Sequence, residues 1–385
     1  MHVLRGGRVV DVDGVREADV GIEDGRIVAV GDVDVDEDDT ETDVSGKFVA
    51  PGLIDAHVHL MMDGRPDMST IEGESEATAA YRVAANLEAA LDAGVTTVRD
   101  LGARDSLALD AARAVERGVV EGPRVLAAGQ NVVMTGGHGH WFGREADGAT
   151  AVRRAAREQL KRGADVVKCM ATGGVLTEGA NTGLPELTPA ELEALVDAAA
   201  SKDVPTAAHA HGKEGIENAV RAGITSVEHG TFMDRETAES MADHGTYWVP
   251  TTAALTGIVD NGVEAGIPAE AVAKAEAAVD AHERAFEHAL DAGVPIAMGT
   301  DAGTPFNFFT DIPQELDLLV DRGLTPEHAL EAATVAAADL LGLDDVGTVA
   351  EGARADLVVL TENPLEDVRA WRHLTTVVAD GDVVR

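Results

Sequence analysis

Short β-branched runs alternate with longer amphipathic stretches along most of this chain. Runs rich in Val and Ile read as strands, and stretches with an apolar residue every three or four positions read as helices. Residues 48–57 are strand-like and 74–93 helical. The pairing repeats in 95–100 with 107–117, 125–128 with 149–162, and 166–170 with 189–202. It continues in 206–209 with 215–222, 225–228 with 235–244, 247–250 with 271–292, and 296–298 with 312–322. One further helix is expected over 326–341. Eight such units are the number that closes a (β/α)8 barrel of the TIM type, an α/β fold. A doubly wound open sheet is the alternative. The phrases AGVTTV, RGADVV, AGITSV and AGVPIA repeat one junction, in which Gly ends a helix and a β-branched strand follows.

The two ends of the chain read differently. Residues 3–10, 18–22 and 26–30 are short strands with Gly and Asp-Gly turns between them, and the Asp-rich stretch 32–43 is expected to be an exposed turn region. Residues 356–360 and 375–379 are strand-like, and Asp380-Gly381 marks a hairpin turn. We therefore expect residues 1–50 and 346–385 to form one small β-sandwich domain around a hydrolase barrel of 51–345.

The 385 residues are 45% hydrophobic, enough for one large core. No apolar run approaches the ~18 residues of a membrane-spanning helix, so no membrane partner is expected. Residues 1–10 carry Arg5 and Arg8 and no long apolar segment, so no export signal is expected. Cys169 is the single cysteine, which excludes an internal disulfide framework and makes the cytoplasm the expected compartment. The net charge of −39, from 69 acidic and 30 basic residues, argues against a nucleic-acid partner. The acid is spread along the whole chain, and such a self-repelling surface suits high salt, so a halophilic archaeon is the expected source; an ordinary acidic enzyme is the alternative.

Charge and composition say little about chemistry; the placement of a few polar residues says more. Strand C-terminal ends of a barrel converge on one face, where active sites are built. His57 and His59 follow an apolar run, and alternate strand residues point the same way, so both imidazoles can face the barrel mouth. A solvated loop end is the other reading. Asp55 shares that face and lies deeper. Lys168 sits inside a strand expected to be buried, where lysine needs a partner. It is either salt-bridged to a barrel carboxylate or carboxylated by carbon dioxide, which would turn it into a bridging ligand. His209 and His229 end consecutive strands, in positions open to ligands or to core histidines. Asp301, between Gly299 and Gly303, is placed to bind a metal and take a proton from water, or to cap a turn. The Gly-rich loop 132–143 lacks the residues of a phosphate loop. His138 and His140 in it, with His211 elsewhere, are candidate substrate-binding groups, and Trp141 and Phe142 are candidate pocket walls.

Taken together, DAHVH (Asp55 to His59), Lys168, His209, EHGT (Glu228 to Thr231) and GTDAG (Gly299 to Gly303) resemble the amidohydrolase superfamily over nearly the whole chain. Within it the chain is most similar to the imidazolonepropionase-related branch. That branch holds Xaa-Pro dipeptidases, carboxypeptidases acting on basic dipeptides and ochratoxin-type amidases. The resemblance implies two divalent metals, zinc being usual there. His57, His59 and Asp301 would hold the more buried one, His209 and His229 the other, and N-carboxylated Lys168 the bridge. It also implies that His138 contacts the substrate carbonyl and Asp301 serves as the catalytic proton carrier. His140 stands where the branch often has aspartate, and His211 where several dipeptidases have a carboxylate-binding tyrosine. The expected reaction is hydrolysis of an amide or peptide C–N bond in a small molecule such as a dipeptide. One rival is a one-metal cyclic-amide hydrolase or deaminase, which generally lacks the lysine and, in deaminases, often has Glu three places after the strand-five histidine, where this chain has Gly212. The other is a metal-binding barrel without catalysis. Homo-oligomers are common among such barrels, and no segment identifies an interface.

Overall fold

Residues 48–57 form two strands rather than one. Phe48–Pro51 and Leu53–Val58 part at Gly52 and enter different sheets. A Cβ at Gly52 would stand 2.3 Å from Thr96 side-chain atoms, so only glycine fits the bend. Residues 3–10 divide in the same way, into His2–Arg5 and Arg8–Asp11, at Gly6 with φ 78°. The computed structural model that shows this describes residues 1–179 and 181–385.

Two sheets collect the ends of the chain. One runs Arg26–Gly31, Asp19–Glu23, His2–Arg5, Thr40–Asp43. The other runs Asp382–Val383, Leu374–Ala379, Leu357–Leu360, Phe48–Pro51, Arg8–Asp11, Gly14–Glu17. Leu357–Leu360 lies antiparallel to Phe48–Pro51, which joins the C-terminal strands to the N-terminal ones. Leu4, Val9, Ile27, Val49, Leu357 and Val378 belong to a core cluster of their own. Part of the expected turn region is a strand: Thr40–Asp43 pairs in parallel with His2–Arg5. Its side chains are largely exposed and it is held by ladder bonds and the Arg5–Glu41 ion pair, so it carries no hydrophobic signal.

The middle of the chain is a mixed α/β array of parallel strands. Arg124–Ala127, Val95–Asp100 and Leu53–Val58 pair in that order. Val132–Val133, Val167–Met170, Thr206–Ala210, Ser226–His229 and Tyr247–Val249 form a second parallel run. The stretch 296–302 lies between the two runs: Ala297 N donates to Trp248 O, and Asp301 N to His57 O. The strand expected at 296–298 forms only a single bridge, Trp248 to Ile296. Its ladder is diverted because Met298 N donates to Ala332 O instead.

Helices Ala149–Arg162 and Arg235–His244 match the periodicity at both ends. The helix expected over 326–341 is two, Pro326–Ala332 and Val335–Leu341, parted where Ala333 O accepts from Ile54 N. Helix Thr252–Asn261 has no counterpart in the sequence reading. Among the described residues no helix is long and apolar enough to cross a membrane.

Candidate metal centre

The parallel register lines up the polar strand ends. Met170 pairs with His209, His209 with Glu228, and Ala210 with His229. His57, His59, Lys168, His209, His229 and Asp301 all line one cavity of about 750 Å³, so the structure brings all six together. All are buried. His229 and Asp301 hold positive φ, 69° and 61°, a sparsely populated region for residues other than glycine. Such strain persists only where surrounding contacts over-determine it, and it clusters at functional sites.

Hydrogen bonds behind the rings fix which nitrogen faces the cavity. His57 Nδ1 donates to Glu228 Oε2 at 2.8 Å, and His59 Nδ1 to Gly102 O at 2.8 Å. Each Nε2 therefore carries a lone pair. Both Nε2 atoms lie 3.4 Å from Asp301 Oδ1, which has no hydrogen-bond donor although it is buried. With Asp301 ionised, three acceptors face one another with no proton between them, an arrangement that a cation relieves and that is otherwise repulsive. His57, His229 and Asp301 offer ligand atoms within 4.8 Å of one another. These residues fit a divalent metal of the N/O-binding class.

The other histidines follow the same logic. Thr251 Oγ1 donates its proton to Pro250 O at 2.7 Å, so it accepts from His229 Nδ1 at 2.6 Å and leaves His229 Nε2 as a lone pair. His209 Nε2 donates to Gly173 O at 3.3 Å, which leaves Nδ1. His209, His211 and His229 also offer nitrogens within 4.8 Å of one another. The His211 and His229 rings are stacked, 12° apart in plane with centroids 4.8 Å apart. An ion in the plane of one ring lies out of the plane of the other. His211 therefore faces the cavity beside the His209–His229 pair rather than completing it.

Lys168 is 1% exposed, and among the described residues no carboxylate forms an ion pair with it. The nearby carboxylates are otherwise engaged: Glu228 by Arg99 and His57, and Asp301 beside His57 and His59. The expected salt-bridge alternative for Lys168 is therefore not what the fold provides. Burial holds its pKa below the ordinary lysine value, which favours the neutral, nucleophilic amine. Burial also raises Asp301 above the ordinary carboxylate range, against the pull of Lys168.

Four buried carboxylates support this face. Asp55 accepts from His57 N, Thr300 N and Thr300 Oγ1, at 3.0, 3.1 and 2.5 Å, and burial pushes it up to about 7. Asp100 accepts from Leu60 N and Gly102 N and so ties the residue that follows His59 to the residue whose carbonyl His59 meets. Glu228 accepts from His57 and from Arg99 Nη2 at 3.1 Å. Glu315 accepts from Thr252 N and Ala253 N at 2.8 and 2.7 Å, at the start of the helix that follows Thr251. The sequence reading missed Arg99, Asp100, Thr251 and Glu315. Arg99 and Glu228 carry the signal used for Lys168, a charge inside an apolar strand. Thr251 and Glu315 carry none.

The Gly-rich loop reaches the same cavity. His138 Nδ1 lies 2.8 Å from Thr177 Oγ1, which also accepts from Gly139 N. The Thr177 hydroxyl can give its proton to His138 Nδ1, and in that arrangement the ring carries its own proton on Nε2. Burial pushes His138 down to about 3, so the ring is neutral. A Cβ at Gly174 would stand 2.3 Å from the His138 ring, so glycine is needed for that approach. His140 is exposed at the rim, and Trp141 is half-buried against Phe142.

Residues 48–384 match the amidohydrolase family. The chain is 33% identical to ochratoxinase of Aspergillus niger, over 96% of this chain and 83% of that one. It superposes on the crystal structure of a prolidase complexed with N-methylphosphonate-L-proline with a TM-score of 0.94, at 33% identity, covering 100% of this chain and 99% of that one. A Xaa-Pro dipeptidase with bound methionine in its active site gives 0.93 at 30% identity, again over 100% and 99%.

Proposed function

From the premise that this chain belongs to the amidohydrolase family and is a hydrolase acting on carbon–nitrogen bonds, we propose that it cleaves the amide bond of a dipeptide or N-acyl amino acid at a two-metal centre. The observation that carries this reading is the donorless convergence of His57 Nε2, His59 Nε2 and Asp301 Oδ1. We take the parallel strands of residues 51–345 as a (β/α)8 barrel, and residues 1–50 with 346–385 as a separate β-sandwich.

In this reading His57, His59 and Asp301 would hold one ion and His209 with His229 the other, and Lys168, carboxylated on Nζ, would be the ligand the two share. Zinc is the expected metal. When bound, the ions supply Lewis acidity and a lowered pKa for the attacking water. His138 donates from Nε2 to the scissile carbonyl and stabilises the charge that develops on its oxygen. Asp301 takes the proton of the attacking water and delivers it to the leaving nitrogen. His211, His140 and Trp141 contact the rest of the substrate. Buried Lys168, with no ion-pair partner among the described residues, supports the two-metal form over a one-metal deaminase. The spread of acid and the single buried thiol of Cys169 support a cytoplasmic protein of a halophile.

The test is a hydrolysis screen of dipeptides, N-acyl amino acids and lactams, with zinc, manganese or cobalt at high salt. Cleavage of the open-chain amides, lost in Asp301→Asn, is expected. Opening of cyclic amides with no dipeptide cleavage overturns the reading. Growth of a carbamate signal from ¹³C-bicarbonate, absent in Lys168→Met, tests the bridge separately.

A further inference from the structure

One wall of the cavity is built apart from the main core. Ile258, Ile267, Ala271, Val272 and Ala275 form a separate buried cluster between helices Thr252–Asn261 and Ala269–Ala292. Val175, Leu176 and Leu255 pack half-buried on that cluster and line the cavity. The loop that carries Leu176 is fastened to helix Ala269–Ala292 at two points. Lys274 Nζ donates to Thr177 O at 3.0 Å, and Gly179 N donates to Glu270 Oε1 at 3.0 Å. The wall is therefore preformed and loses little freedom when a ligand settles on it.

Its electrostatic setting is one-sided. Among the described residues lining the cavity, Lys168 on the floor is the only ammonium, and there is no guanidinium. The exposed carboxylates Glu72, Glu178 and Glu270 stand around the rim. Apart from the metal centre, Lys274 beside the wall is taken up by Glu270 at 2.7 Å and by Thr177 O, so an anionic group laid on the wall would meet the carboxylates Glu72 and Glu178 and no free cation among the described lining residues. A volume of about 750 Å³ falls in the upper part of the ~300–1,000 Å³ range of small-molecule sites.

We propose that Val175, Leu176, Leu255 and Ile258 form a subsite for an uncharged apolar group of the substrate, a medium-length aliphatic or aromatic chain, and that this wall selects among amides. The proposal rests on the amide-hydrolase reading above, which supplies the bond that is cut but not the group that lies beside it. Each methylene buried on the wall should raise kcat/KM about three- to fourfold until the wall is filled.

The experiment measures kcat/KM of zinc-loaded enzyme at high salt for N-acyl-alanines from acetyl to octanoyl. Binding of n-alkyl hydroxamates of the same chain lengths is measured by calorimetry in parallel. Both series should rise with chain length in the wild type. The octanoyl-to-acetyl ratio should fall at least tenfold in Leu255→Ser and, as a second variant on a different element, in Leu176→Ser. An acyl chain ending in a carboxylate should react more slowly than the methyl-ended chain of equal length. A flat series in the wild type overturns the wall and leaves the hydrolase reading standing. So does a slope unchanged in both folded variants, or equal rates for charged and methyl-ended chains. A rising hydroxamate series with no amide cleaved supports the wall and overturns the hydrolase reading.

Discussion

His57 Nδ1 lies 2.8 Å from Glu228 Oε2, across 171 residues of sequence, and both side chains are withdrawn from solvent. Glu228 is shared: its other oxygen receives Arg99 Nη2 at 3.1 Å and Ser226 Oγ at 2.5 Å. One carboxylate thus sets the tautomer of a cavity-facing histidine and neutralises a buried guanidinium. Outer partners of this kind typically account for ~10–100-fold in metal affinity. Glu228→Gln is expected to weaken metal binding by about that factor in competition with a chromophoric chelator. Glu228→Ala also leaves Arg99 buried and unpaired, at a cost of ~3–5 kcal/mol in denaturant unfolding. Unchanged metal affinity in Glu228→Gln would show that His57 keeps its orientation without this bond.

Thr251 does for His229 what Glu228 does for His57. It sits at φ 51°, a strained value for a β-branched residue, and gives its proton to Pro250 O while accepting from His229 Nδ1. Thr251→Val removes the acceptor and keeps the shape. About tenfold weaker metal binding is expected, with recovery in Thr251→Ser. Equal affinity in Val and Ser variants would remove Thr251 from the site.

Gly174 allows the His138 ring to sit where any Cβ would overlap it. Gly174→Ala displaces that ring without altering its chemistry. A ~1 Å displacement of a reacting group can cost ~100-fold in rate. We expect a fall in kcat of that order with zinc content unchanged by elemental analysis. Loss of zinc together with activity would instead mean that the Ala methyl disturbs the strand of Lys168.

Glu315 gives the fold a pH dependence. Burial pushes its carboxyl up to about 7, from an ordinary 4.5, against two backbone donors. An acid raised by folding contributes most below its unfolded value. That contribution is lost as pH rises through the window from 4.5 to about 7, and is constant above it. The loss is on the order of 3 kcal/mol. Glu315→Gln does not titrate, so the wild type should exceed it in Tm more at pH 5 than at pH 8, with metal held saturating. The same difference at both values would contradict the raised pKa.

A net charge of −39 on 385 residues makes the folded chain self-repelling at low salt. The screening length falls from ~10 Å at 0.1 M salt to ~3 Å at 1 M. The Tm should therefore climb by several degrees when potassium chloride is raised from ~0.1 to ~2 M. A flat or falling Tm would refute the halophilic reading of the acid surface.

The order of strands and helices, and the placing of the site histidines and aspartate at strand ends, can be read from the residues alone. Those are local matters. Apolar periodicity sets an element, and a polar residue at the edge of an apolar run marks where the strand emerges. Helices Ala149–Arg162 and Arg235–His244 were legible to the residue for that reason. Tertiary structure alone decided the rest. Gly52 splits a continuous apolar run because Thr96 packs against it. Thr40–Asp43 is a strand because His2–Arg5 offers it a ladder, not because its residues seek burial. Thr251 and Glu315 matter only through His229 and through the helix start that the fold sets beside them. The opening pair makes the same point. Glu228 and Arg99 each read as a charge within an apolar strand, and only folding shows that they satisfy one another and turn His57 Nε2 toward Asp301. A buried charge can be seen in one dimension, but its partner is chosen in three.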